Sequence, residues 1–452
     1  MNKSLTTIAA LNTQLADLQR KKVKLEEEGQ PIRFNDLTSK GMAKPTLGNT
    51  EQLVAHYDIT IQHNEMTKDL EISFADKKFH RDTELNTSMS YFKALARDQD
   101  LPVSDIFDHV GIIANNNHYH PVRDWIDSAK WDGTDRLQEY YDSLIIRKGG
   151  NHAEDVMNSA LKEILMRKWA MSAVAALYND NFSCEGVLCL SGDQAIGKTS
   201  WALSLTPREY QSKWVKDAVT LDVGNKDSVL KAVSAWITEL GELDATFRKS
   251  DLEALKGFIT ERVDVLRPPY ERKANSYSRR TVMYATINSV EFLQDEENRR
   301  FWTLDVEKVI QCTFDTQQFW AEMKVLYESV EPLCRTAFDR EKNQEWGWFL
   351  TPTERKQLQS VQKKFKSIDP ICEIVQNNIV TAKLTNSGLW LNCTAILQAC
   401  GITNPDRRAT NSVSKWLRKE GYNFKQYTKQ YYVNVVGQGK SSVPSLSVVK
   451  ND

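Results

Sequence analysis

The stretch Leu190–Ser200, "LSGDQAIGKTS", constrains the chain most: Gly192, four residues, then Gly197-Lys198-Thr199. The apolar run "GVLCL" (186–190) precedes it and the helix-patterned "TSWALSLT" (199–206) follows. A strand, a glycine-bounded loop and a helix in that order form a phosphate cradle. Backbone N–H groups of the loop and the helix start converge on one place, and glycine admits the close approach. Gly192, Asp193, Gln194, Ala195, Ile196, Gly197, Lys198, Thr199 and Ser200 are therefore expected to line a nucleotide. Lys198 is expected to reach its β- and γ-phosphates and the Thr199 hydroxyl to ligate Mg²⁺.

Hydrolysis needs a second, acidic strand end that holds the metal and orients water. "AWITELGELD" (235–244) supplies an apolar strand with Glu239 and Glu242 at or just beyond its end. Thr199 and Glu239 stand as the expected metal positions, although spacing alone does not decide which glutamate holds metal and which activates water. A third strand, "TVMYATINS" (281–289), ends in Asn288, a candidate γ-phosphate sensor that also reads as a turn residue. Eleven residues on, Arg299 and Arg300 precede the apolar Phe301-Trp302. An arginine projected into a neighbouring subunit's site would stabilise transition-state charge.

Short apolar runs alternating with helical segments between about 186 and 310 predict buried parallel strands of an α/β nucleotide-binding core. At 452 residues the chain suggests several domains. Residues 1–30 read as an amphipathic helix, with Ile8, Leu11, Leu15, Leu18 and Leu25 on one stripe, either an oligomer-stabilising arm or a helix packed on its own domain. Residues 31–180 read as a mostly helical N-terminal region, 181–335 as the core and 336–370 as a helical connector. A compact segment over 371–437 and a flexible tail over 438–452 complete the chain.

Seven scattered cysteines without a CxxC pair read as reduced thiols, and no charge-free apolar run is long enough to span a bilayer, so cytoplasm is the expected location. Basic and acidic residues nearly cancel, 59 against 60, so any nucleic-acid face must be local.

The phosphate loop, "WITELGELD", "LKGFITERVDVLRPPYERKANSYSRRTVMYATIN" and "NRRFWTLDV", in this order and spacing, resemble the virulence-associated E (VapE-like) proteins of phages and phage-derived islands, relatives of superfamily 3 helicases. The upstream "HPVRDWIDSAKWDGTDRLQEYY" (120–141) is similar to the segment that leads into their ATPase core. The resemblance covers roughly 110–310. It implies an AAA+-like α/β P-loop ATPase using ATP and Mg²⁺, with Walker B acids at Glu239 and Glu242, a sensor at Asn288, and Arg299 or Arg300 as an intersubunit finger. The family's usual adjacent acids are here separated by two residues.

In superfamily 3 the segment between Walker B and sensor includes a hairpin that points into the ring's channel. Here "RPPYERKANSYSRR" carries Arg267, Arg272, Lys273, Arg279 and Arg280, with Tyr270 and Tyr277 interleaved. Basic side chains can grip successive phosphates while aromatic ones stack bases. Pro268-Pro269 and Asn275-Ser276 read as its turn chemistry.

From Trp390, "TAILQACG" and "DRRATNSVSKWLRKEG" read as two helices and "YNFKQYTKQYYVNVV" as a hairpin, which predicts a winged helix. Arg407, Arg408, Asn411, Lys415 and Arg418 are its candidate DNA contacts, although winged helices also bind proteins.

Together these readings imply an ATP-dependent, ring-forming DNA helicase or replication initiator in phage or mobile-element replication. The expected partners are a DNA strand in a central channel, an origin duplex on the winged helix, and further copies of the chain, with a hexamer expected. A 3′-to-5′ polarity is implied by the resemblance alone. A second reading is a nucleotide-controlled DNA-binding switch without unwinding activity, which predicts duplex specificity and weak DNA-stimulated turnover.

Overall fold

The computed structural model describes residues 31–80, 84–241, 249–268, 273–287, 299–343, 346–362, 370–380, 390–419, 421–422, 424–427 and 430–434. They belong to two compact units, one of residues 1–290 and 296–362 and one of 291–295 and 363–452. The expected helix over 1–30 and tail over 438–452 lie outside the described residues.

The chain opens with α1 (Leu47–His56), β1 (Ile59–Asn64), β2 (Asp69–Phe74), α2 (Glu84–Asp98), α3 (Ile106–Asn115) and β3 (His118–Tyr119). Helices make up most of the regular structure over 31–180, and the small sheet of β1, β2 and β3 stands among them as an element that the expectation of a mostly helical region did not include. β1 and β2 form an antiparallel hairpin, and β3 adds to β1 in parallel. Burial alternates along both strands, so that Ile59, Ile61, Ile72 and Phe74 reach one core with Leu53, Phe92 and Val110. The turn between them carries no Gly or Pro. Instead the Asn64 side chain accepts from the N–H groups of Met66 and Thr67, and Lys68 takes a left-handed φ of 61°.

Lys68 then runs inward, fully buried, and its Nζ donates to the Val233 carbonyl at 2.6 Å. Burial pulls its pKa down to about 8, helped by Arg279 and Arg280 and opposed by Asp264. The folded value lies below the ordinary 10.5, so between the two the unfolded chain holds the extra proton. Stability therefore rises with pH across that window, by up to about 3 kcal/mol from this group. Urea midpoints of wild type and Lys68→Met should diverge there, with only the wild type gaining the Lys68 contribution; parallel curves would refute the assignment.

The central sheet follows from α4 (Pro121–Asp127), α5 (Leu137–Asp142), β4 (Leu144–Ile146), α6 (His152–Tyr178), β5 (Val187–Ser191), α7 (Lys198–Ser204), α8 (Gln211–Trp214), β6 (Val215–Val219), α9 (Lys226–Val233) and β7 (Ile237–Leu240). It continues through α10 (Lys249–Ile259), β8 (Val263–Leu266), β9 (Asn275–Ser278), β10 (Val282–Ile287) and β11 (Phe301–Val309). Helices α11 (Thr316–Val330), α12 (Ala337–Asn343) and α13 (Pro352–Gln362) close this unit. Among the described residues the sheet runs β4-β11-β5-β10-β7-β6, with β4 antiparallel and the others parallel. Numbered in chain order, the five parallel strands lie 5-1-4-3-2, so β5, the strand that feeds the Gly192–Gly197 loop, is interior and β10 separates it from β7. β5 and β7 are buried along their whole length, which is why both read as continuous apolar runs.

Four buried tryptophans tie the elements of this unit together, each with its indole N–H paired. Trp169 donates to the Met283 carbonyl at 2.8 Å, Trp201 to Ser143 Oγ at 2.8 Å, Trp236 to Ala173 at 2.9 Å and Trp320 to Leu205 at 2.7 Å. Each ring contributes a large apolar area, and each N–H avoids the cost of a buried orphan donor.

The second unit contains α14 (Pro370–Val380), β12 (Trp390–Asn392), α15 (Cys393–Ala399), α16 (Arg407–Lys419), β13 (Phe424–Tyr427) and β14 (Gln430–Asn434). Its strands pair antiparallel in the order β12-β14-β13. Val375, Ile396, Leu397, Val413 and Leu417 form its own core. Gly401, at φ 93°, ends α15 as expected from a glycine at that position. Among the described residues no helix is long and apolar enough to cross a membrane.

Candidate nucleotide site and basic hairpin

β5 delivers Gly192 against β11, where a Cβ would stand 2.2 Å from the Val306 carbonyl oxygen. Glycine is therefore required by close approach. Ala195 and Gly197 have φ of 67° and 95°, which turns the loop sharply before α7 begins at Lys198. Asp193, Gln194 and Ala195 are exposed, Ile196, Gly197, Thr199 and Ser200 half-buried. Lys198 is buried, and its Nζ donates to the carbonyls of Gly192 at 2.7 Å and Asp193 at 2.8 Å.

Thr199 and Glu239, forty residues apart, meet at this loop: the Thr199 hydroxyl donates to Glu239 Oε1 at 3.2 Å. Glu239 is only 2% exposed and accepts two further hydrogen bonds, from Thr286 Oγ1 at 2.6 Å and from the Ala218 N–H at 3.1 Å. β10 places Tyr284 opposite Glu239, and Thr286, two residues on, lies on the same face. An irregularity in β6 between Lys216 and Val219, with Ala218 at φ 47°, turns the Ala218 N–H toward the carboxylate. The Tyr284 hydroxyl donates to the Thr199 carbonyl at 3.4 Å; burial and the nearby Glu239 charge push its pKa well up, so it stays a donor. Sequence reading missed Thr286, Tyr284 and Ala218. The alternation of "YAT" on a strand leading to Asn288 was the available signal for the first two. Glu242 and Asn288 lie outside the described residues.

Arg147, also missed, lies directly after β4. Its backbone N–H donates to the Asp305 carbonyl at 2.7 Å, and its side chain spans two carboxylates, Nε to Asp305 Oδ1 at 3.3 Å and Nη2 to Asp193 Oδ2 at 3.2 Å. Arg299 and Arg300 stand elsewhere. The Val187 N–H donates to the Arg300 carbonyl at 2.7 Å and Phe301 pairs with Val187, whereas Asp305 pairs with Ser191. Both arginines thus mark the end of the sheet opposite the loop, roughly 13 Å away along the strand. Arg299 is exposed; Arg300 is half-buried, and burial with the adjacent Arg299 charge lowers its pKa.

β8 and β9 form the expected antiparallel hairpin, from Val263 opposite Ser278 to Leu266 opposite Asn275. Arg267 and Lys273 are exposed at its outer end. Tyr270 and Arg272 lie outside the described residues. Asn275 and Ser276 are strand residues rather than turn residues, a correction to the reading of the turn. Tyr277 is half-buried and stacks on His63 at 6.2 Å between ring centres.

Arg279 and Arg280, expected to reach nucleic acid, do not fit that role because both guanidinium groups are committed inside the protein. Arg279 is fully buried, forks onto Asp264 with Nη2 at 2.6 Å and Nε at 2.9 Å, donates to the Phe258 carbonyl at 3.2 Å and lies over the Phe258 ring. Arg280 pairs with Asp180 at 2.5 Å and Glu65 at 3.4 Å.

In the second unit, Arg407, Arg408, Asn411, Lys415 and Arg418 are exposed along α16, while Ala409, Val413 and Leu417 fall on its buried face.

A family model described as the virulence-associated protein E-like domain matches residues 126–367, which contain the loop, Glu239 and the hairpin. No curated relative matches the chain. Among solved structures the chain is similar to the apo structure of the NrS-1 C terminal region (305–718), with 13% identity, 86% of this chain and 98% of that chain covered, and a TM-score of 0.39. It is also similar to SCCmec type IV Cch, described as an active helicase, with 11% identity, coverage of 83% of this chain and 92% of that chain, and a TM-score of 0.33.

Proposed function

The chain belongs to the virulence-associated protein E-like family, and from that premise we propose that it is an ATP-dependent DNA helicase or replication initiator of the superfamily 3 type, acting in phage or mobile-element DNA replication. The contact of Thr199 with the buried Glu239, beside a glycine-bounded loop, carries the reading. A hydroxyl and a carboxylate brought together there form the donor set expected for Mg²⁺ beside a nucleotide. Mg²⁺, when bound, supplies charge neutralisation at the phosphates. Lys198 exchanges its two carbonyl partners for phosphate oxygens, and Glu239 with Glu242 divides metal holding and water activation, with Asn288 as sensor.

The 5-1-4-3-2 strand order supports an AAA+-like core. Arg299 and Arg300, at the sheet end away from their own loop, suit a ring in which each subunit completes its neighbour's site, and a hexamer is the ring we propose. Arg267 and Lys273, with Arg272 and Tyr270, grip a single strand in the channel. The αβααββ order of the second unit supports a winged helix that contacts duplex DNA through Arg407, Arg408, Lys415 and Arg418. The site of action is the host cytoplasm.

Unwinding of a forked duplex with ATP tests this reading. Wild type should unwind it, and Lys198→Ala should lose about 10²-fold or more of both hydrolysis and unwinding, because a phosphate counter-charge is removed. Hydrolysis without unwinding or translocation under assembling conditions would sink the helicase reading in favour of the nucleotide-controlled switch.

A further inference from the structure

We infer that Arg147 is a phosphate-binding residue of the same subunit's nucleotide site, and that Asp193 competes with the nucleotide for it. The inference rests on the nucleotide site proposed above. Arg147 is anchored on the β11 side: its backbone N–H holds the Asp305 carbonyl and its Nε holds the Asp305 carboxylate. Only the outer nitrogen, Nη2, reaches the phosphate loop, where it meets Asp193 Oδ2 at 3.2 Å.

That second contact is poorly explained by folding. The side chains are 45% and 77% exposed, and ion pairs in such surroundings contribute little to stability. Its position is more informative. Asp193 is held from two sides by cations, by Arg147 at its carboxylate and by Lys198 at its carbonyl. An exposed carboxylate in a loop built for phosphate repels the incoming anion, and it occupies the guanidinium that would receive it. A guanidinium offers a planar fork matched to phosphate oxygens, and Arg147 can keep Nε on Asp305 while Nη2 turns from Asp193 to the nucleotide. No bond is made or broken, and only hydrogen-bond partners exchange. Asp305 acts as a positioning residue that fixes the guanidinium plane.

The test is titration of the full chain with fluorescent ATP and ADP analogues, without DNA, alongside thermal midpoints. Arg147→Ala should raise Kd about tenfold with little change in midpoint, Arg147→Lys should recover part of the loss because charge returns without the fork, and Asp193→Asn should lower Kd several-fold. The opposite signs for Arg147→Ala and Asp193→Asn set this apart from a structural role, which would shift midpoints and weaken both. Wild-type Kd in Arg147→Ala, or weakened binding in Asp193→Asn, overturns the inference while leaving the nucleotide site standing. A wild type that binds neither analogue overturns both.

Discussion

Glu239→Gln should stop ATP hydrolysis while leaving the fold and nucleotide binding largely in place. The carboxylate accepts from three donors, the hydroxyls of Thr199 and Thr286 and the Ala218 N–H. Two of these donors are hydroxyls that can rotate and accept instead. The glutamine oxygen can therefore keep the fixed Ala218 N–H while its amide donates to the two threonines, so the new amide is itself satisfied. What disappears is a negative charge beside the Thr199 hydroxyl, at the edge of the phosphate loop. By analogy with loss of one preorganised electrostatic group, turnover should fall about 10²–10³-fold. Single-turnover hydrolysis and fluorescent-nucleotide binding separate the cases. Near-normal turnover would remove Glu239 from the site, and loss of the thermal transition would show that its role is structural.

A second large effect is expected at the base of the hairpin, and it concerns stability. Asp264→Ala leaves the Arg279 guanidinium inside the protein with its main partner gone, and both side chains are fully buried. Removing one member of a buried pair costs about 3–5 kcal/mol, a large share of the roughly 5–15 kcal/mol that holds a typical domain. Asp264→Leu combined with Arg279→Met should recover much of the loss, because two packed apolar side chains need no counter-charge. Urea midpoints for the single and double variants decide this. If the double variant is no more stable than Asp264→Ala, packing around the pair rather than the unpaired charge governs the site. If Asp264→Ala is neutral, Arg279 is free to leave the interior and the correction of its expected nucleic-acid role fails.

These two sites also show how far local pattern carries. The Gly192–Gly197 loop was legible because most of what shapes it lies within a few residues: a strand buried on both faces, a glycine where the backbone turns, and a helix beginning at Lys198; only the close approach of Gly192 to Val306 is distant in sequence. The strand ending in Glu239 was legible for the same reason. The β1–β2 hairpin was not legible within a mostly helical region because its turn is made by an Asn64 side chain and a left-handed Lys68, so the usual Gly and Pro punctuation is missing. Its alternating Ile59, Ile61, Ile72 and Phe74 carried the information, in a period of two rather than 3.6.

By itself the sequence determined the glycine-bounded loop between strand and helix, the acidic strand end, the basic composition of the hairpin and the polar stripe of α16, since each depends on spacing along one element. Tertiary structure alone decided which charges remain available. Composition makes Arg267, Lys273, Arg279 and Arg280 equivalent, yet Asp264 removes Arg279 from solvent, and Asp180 with Glu65 does the same for Arg280. Likewise Arg147 meets Asp193 across 46 positions and Thr286 meets Glu239 across 47. The physical reason is common to all of them. Whether a charged or hydroxyl group faces solvent, a ligand or a buried partner depends on which distant strand lies beside it, and strand order in a sheet is not written in local periodicity.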